Sequence, residues 1–92
     1  MTYEVDWLET ALRELGVIWQ AADETTRAAV SRAVARMNDR LSLAPLTQGE
    51  TRPPEGTRIL FELPLKVLYR IERFEGAVSV LHVWLIPKRR RK

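Results

Sequence analysis

The sequence predicts an α+β domain in which a helical hairpin packs on one face of a small, mainly antiparallel sheet, in the order β-α-α-β-β-β. Three observations carry this prediction. An alternating stretch opens the chain, two segments with apolar residues every three or four positions follow, and the last third holds apolar-rich runs separated by Pro64 and by Phe74, Glu75 and Gly76.

The opening "TYEVDW" sets Tyr3, Val5 and Trp7 on one side and Glu4 and Asp6 on the other, as a strand with one buried face requires. Asp6 followed by Glu9 has the spacing of a capping box, so a helix is expected to start there. Leu8, Leu12, Leu15, Ile18 or Trp19, and Ala22 then mark its buried stripe, while Glu9, Arg13, Glu14 and Gln20 lie largely away from it. Asp23 is the expected N-cap of a second helix, with Val30, Val34, Met37 and Leu41 buried and Arg27, Arg32, Arg36 and Arg40 mostly outside. Residues 44–56 hold three prolines and two glycines without periodicity and are expected to form a loop, with Gly49 as a turn residue. Strands are expected over 57–63, 65–73 and 77–86. In the middle one Leu65, Val67, Tyr69 and Ile71 share the core face, and Lys66, Leu68, Arg70 and Glu72 share the other, which is unusually charged for the centre of a sheet.

Ninety-two residues suffice for one domain, 1–92, of which 88–92 form a basic C-terminal tail. Residues 1–87 carry ten Lys/Arg against twelve Asp/Glu, whereas Lys88, Arg89, Arg90, Arg91 and Lys92 are all cationic. The body is near neutral and the tail is the basic element. No apolar run approaches the roughly 18 residues of a membrane span, and the acidic N-terminus does not read as a signal peptide, so a cytoplasmic protein with no membrane partner is expected. The absence of cysteine excludes disulfides and thiolate chemistry, and a single histidine, His82, puts zinc sites of the usual Cys/His type out of reach. No metal and no small-molecule cofactor are expected.

The order of elements, "VDWLETALRELGVIW" near the start, "PLTQGETRPPEGTRILFELPLKVLYRIE" in the middle, and "VSVLHVW" followed by a basic terminus resemble the RelE/ParE superfamily of toxins from type II toxin–antitoxin modules, over nearly the whole chain. The resemblance implies a compact toxin neutralised by a cognate antitoxin protein. It also implies one of two activities. RelE-like members cut messenger RNA in the ribosome with basic residues and no metal, and ParE-like members poison DNA gyrase. The RelE-like positions that match are a basic residue early in the middle strand, Lys66, and the arginine just past the last strand, Arg89. RelE-like toxins also use a tyrosine in a C-terminal segment, and no tyrosine follows Tyr69 here, so both activities stay open, as does a degenerate member that only binds antitoxin or nucleic acid.

Metal-free RNA cleavage needs a base for the ribose 2′-hydroxyl, an acid for the leaving oxygen and cations for the phosphate. Lys66, Arg70, His82, Arg58 and Arg89 are the available groups. If Leu81, Val83 and Leu85 point inward, His82 and Trp84 share the open face with Lys66 and Arg70, and Trp84 can stack on a base. The ordinary alternatives are a packed histidine, an ion pair of Arg70 with Glu72 or Glu62, and a solvated tail. The functional reading takes Lys66, Arg89, His82 and Arg70 as catalytic, and Arg58, Trp84 and the cations Lys88, Arg90, Arg91 and Lys92 as nucleic-acid contacts. Tyr69, Trp7 and Trp19 are expected to pack.

Overall fold

The structure, a computed structural model, describes residues 2–87. Its elements are β1 (Glu4–Trp7), α1 (Glu9–Ala21), α2 (Glu24–Leu43), β2 (Glu50–Arg52), β3 (Thr57–Glu62), β4 (Leu65–Glu72), a short 3-10 turn (Arg73–Glu75) and β5 (Ala77–Leu85). Five strands form one sheet in the order β1-β5-β4-β3-β2. Every pairing is antiparallel except that of β1 with β5, and the helical hairpin carries the chain from β1 at one edge of the sheet to β2 at the other. The predicted α+β architecture is therefore present, with a fifth strand inside the segment expected to be a loop. That strand is three residues long and wholly exposed, so it carries no apolar alternation to announce it. Gly49 precedes it at φ 67°, where a β-carbon would run into the carbonyl of Ile59, so only glycine suits this approach to β3.

The second helix follows its sequence pattern. Asp23 accepts from the Thr26 N–H at 2.8 Å, and Val30, Ala33, Met37 and Leu41 are buried against the sheet. The first does not. Asp6 stays in the strand opposite Ser79, because β1 continues its pairing with β5 as far as Trp7, and the expected capping box is not formed. Leu8 is the N-cap instead, without a side-chain bond. Its own N–H goes to the Val80 carbonyl at 3.0 Å, which ties the helix start to β5. Ala11 is the buried residue of α1, with Leu15 and Ile18 packed on the core, whereas Leu8, Leu12 and Trp19 remain exposed. Of the predicted stripe Leu15 and Ile18 are in place, and Ala11 stands where Leu8 and Leu12 were expected. Burying small Ala11 lets α1 approach β5 closely, which a leucine at that contact would prevent. Trp19 instead lies under the guanidinium of Arg27, 5.5 Å from the ring centroid, while Arg27 Nε donates to the Trp19 carbonyl at 2.8 Å and satisfies the end of α1.

The sheet face against the helices holds Leu60, Leu65, Val67, Tyr69, Val78, Val80 and Val83, with Ile71 at its margin. Tyr69 is a core residue as expected. Its hydroxyl lies 2.9 Å from the Pro45 carbonyl and 2.8 Å from that of Gln48, so it pins the segment after α2, and burial pushes its pKa up to about 12 against the lowering influence of Arg58 and Arg40. Trp7 is half-buried and donates to Asn38 at 2.9 Å.

Candidate functional site

The open face of the sheet is shaped by an irregularity in β5. Leu68 pairs with His82 but Tyr69 pairs with Val80, so Leu81 is an extra residue and the strand bulges there. Strict alternation cannot place Val80 and Val83 on one face, since three residues separate them. The bulge does. Val78 and Val80 enter the core before it, Val83 enters after it, and His82 and Trp84 still face outward. Of the expected inward set, Val83 is buried, Leu81 is the half-buried extra residue of the bulge, and Leu85 shares the face of Val83 opposite Leu65 but is exposed at the end of the strand.

Lys66 lies on the open face near the start of the middle strand β4, flanked across the strands by Phe61 on β3 and Trp84 on β5. Its Nζ lies 5.3 Å from the Trp84 ring centroid, within cation–π range. The His82 ring stacks on the same Trp84 ring, with centroids 5.8 Å apart and planes inclined by 30°. Phe61 and Trp84 are 47% and 39% exposed, more than a packing role requires. Together with Lys66, Leu85, Ile86 and Pro87 they line a shallow cavity of about 270 Å³.

His82 has a second partner that the sequence did not signal. Glu14 reaches from α1 to the edge of β5, where β1 has ended, and places its carboxylate oxygens 3.0 and 3.3 Å from His82 Nδ1. One of the same oxygens accepts the Val83 N–H at 3.0 Å. Partial burial works to raise the Glu14 pKa, but the Val83 N–H and the imidazole together hold it below the usual carboxylate value. Sixty-eight residues separate Glu14 and His82, so no local spacing could have joined them.

The remaining predicted residues distribute differently. Arg70 is on the open face but its Nε is held by Glu72 Oε1 at 2.8 Å, on the same strand. Arg58 departs from expectation. It pairs across the sheet with Tyr69, hence on the helix side, and donates to the Gln48 carbonyl at 3.1 Å. Glu62, considered as a partner for Arg70, is bound instead by Arg36 at 2.8 Å and Arg40 at 2.7 Å. Those arginines, read as lying outside the buried stripe, join α2 to β3. Arg89 and the contacts assigned to Lys88, Arg90, Arg91 and Lys92 lie outside the described residues.

No helix among the described residues is long and apolar enough to cross a membrane. No family model matches the chain, and no curated protein matches it. Solved structures do. The RelBE2 toxin–antitoxin complex from Mycobacterium tuberculosis contains a chain 29% identical to this one, with TM-score 0.72 and 92% of each chain covered. The chromosomal ParDE system from P. aeruginosa matches with TM-score 0.73 at 17% identity, over 92% of this chain and 97% of that one. The isolated E. coli RelE toxin matches with TM-score 0.60 at 16% identity, over 95% and 87%. The two more distant likenesses speak for the fold, and the first extends it to sequence. The strand order, the helical hairpin and the similarity over nearly all of its length support a toxin of the RelE/ParE superfamily from type II toxin–antitoxin systems.

Proposed function

We propose that this toxin is a cytoplasmic, ribosome-dependent endoribonuclease that cuts messenger RNA without a metal and is held inactive by a cognate antitoxin. One observation carries the reading: Lys66 and His82 both contact Trp84 on the sheet face opposite the helices. Such a face offers a cation for a phosphate, an aromatic ring for a base and an imidazole for a proton. Cleavage then proceeds by removal of the 2′-hydroxyl proton, formation of the 2′-oxygen to phosphorus bond, breakage of the bond to the 5′-oxygen and protonation of that oxygen. His82 and Lys66 are the groups proposed to exchange these protons, and Lys66 with Arg89 to offset charge on the phosphate. Arg70 is given a supporting role only, since Glu72 already neutralises it. The antitoxin partner follows from the likeness to toxins solved in complex with theirs.

The test adds purified protein to a translating extract and maps new 5′ ends on the message, beside Lys66→Ala. New ends at ribosome-occupied codons that vanish in the variant are expected. Intact message would remove the nuclease reading. The likeness to the ParDE toxin supports a second reading, inhibition of DNA gyrase, which predicts trapped gyrase and DNA damage signalling on expression. Growth arrest with undamaged DNA would remove that one.

A further inference from the structure

We propose that Glu14 is a positioning residue: its carboxylate holds His82 as the Nδ1–H tautomer, so that Nε2 presents a free lone pair on the open face. This rests on the RNA-cleavage reading for its use, but the geometry stands by itself. An ionised carboxylate only accepts hydrogen bonds, and a neutral imidazole carries its proton on one nitrogen. With both Glu14 oxygens within 3.3 Å of Nδ1, the proton belongs there. Nε2 has no hydrogen-bond partner among the described residues, so it is the basic nitrogen and it is available. The ring is fixed on two sides, at its edge by Glu14 and at its face by Trp84. Trp84 in turn contacts Lys66, which places base and cation around one aromatic ring.

In the proposed reaction Nε2 takes the 2′-hydroxyl proton, the 2′-oxygen bonds to phosphorus, and the bond from phosphorus to the 5′-oxygen breaks. The Lys66 ammonium gives that oxygen a proton. The products are a 2′,3′-cyclic phosphate and a 5′-hydroxyl end, and exchange with water restores both side chains.

A purely structural account is available, because Glu14 also accepts the Val83 N–H and so fastens α1 to the edge of β5. Glu14→Gln separates the two. The amide oxygen can keep Val83, while the amide nitrogen then faces Nδ1 as a donor, which forces the proton to Nε2 and abolishes the base. A fastener survives this change and a tautomer setter does not.

Because His82 is the only histidine, long-range ¹H–¹⁵N correlation spectra of uniformly labelled protein report its tautomer without ambiguity. The wild-type neutral ring is expected to be protonated at Nδ1 and the Glu14→Gln ring at Nε2. Message cleavage in the extract is expected to fall about 100-fold in Glu14→Gln, within the range for loss of a general base. A wild-type ring protonated at Nε2 overturns the proposal, and it needs no variant to fold. So does an unchanged tautomer in Glu14→Gln, or a switched tautomer with unchanged cleavage. If the wild type cuts no message, the nuclease reading fails alone, and the spectra still decide whether Glu14 sets the imidazole.

Discussion

Two carboxylates join a helix to the sheet in this protein, and they do so with opposite chemistry. Glu62 on β3 receives Arg36 and Arg40 from α2 at 2.8 and 2.7 Å, and Arg40 continues to the Gln48 side chain, whose backbone carbonyl accepts from Tyr69. Glu14 on α1 receives a backbone N–H and an imidazole from β5. The first junction is closed, because its donors are permanent cations that exchange no proton near neutrality. The second is open, because its imidazole retains a nitrogen facing outward beside Trp84 and Lys66. The lesson is that a partly buried carboxylate marks chemistry when its partner can still exchange a proton, and architecture when it cannot.

The largest effect should come from exchanging the two acids for amides. Glu14→Gln is expected to reduce message cleavage about 100-fold, whereas Glu62→Gln should leave the cleavage rate within about twofold, since its arginines are half exposed and the loss is one of stability. Equal losses in the two variants would erase the distinction between the junctions. The closed junction is sharpened by Tyr69→Phe, which deletes the donor to the Pro45 and Gln48 carbonyls. Urea denaturation should show a loss of about 1–3 kcal/mol, the usual cost of leaving a buried polar group unpaired. A neutral result would mean that water takes over those carbonyls.

Acid should act on the closed junction with a defined sign. The Arg36 and Arg40 guanidinium groups hold the Glu62 carboxyl below its ordinary value of 4.5, against the opposing effect of burial, so the unfolded chain takes up a proton first. The stabilisation is therefore complete above about 4.5 and is lost as pH falls through the lowered folded value. Wild type should exceed Glu62→Gln in stability near neutrality, and denaturation curves should converge as pH drops below that window. A gap that widens in acid would contradict the ion pairs. The smallest effect belongs to Arg13→Ala, which removes an i, i+4 pair with Glu9 at 3.1 Å. Both side chains are largely solvated, so thermal melts should shift by the equivalent of no more than about 0.5 kcal/mol.

Some of the molecule was legible before folding. The Asp23 cap, the Val30–Met37–Leu41 stripe and the inward set on β4 all depend on residues within a few positions of one another, and local geometry dictates their direction. The first half of the α1 stripe was not, because periodicity shows where apolar residues recur and not which line of the helix a neighbouring strand will accept. Ala11 was chosen over Leu12 by the closeness of β5. Strand β2 was hidden for another reason: an exposed edge of three residues takes its order from the backbone of β3 and needs no apolar pattern.

The candidate site divides along the same line. Lys66, His82 and Trp84 could be assembled from alternation along two strands, yet alternation continued back from Val83 would have turned Val78 and Val80 outward. Only the bulge reconciles buried Val78 and Val80 with outward His82. Arg58 had no side that the sequence could assign, because its direction depends on which residue it faces across the sheet, namely Tyr69.

By itself the sequence determined the fold class, the second helix, the core face of β4 and the presence of a cation, an aromatic ring and a single imidazole in the last two strands. Tertiary structure decided what that imidazole is bound to. The direction of a side chain within one element is set by a repeat of two or 3.6 residues, which sequence displays. The meeting of Glu14 with His82 is set by where β1 stops and α1 crosses the exposed edge of β5, a coincidence of distant backbones that only the packed chain brings about.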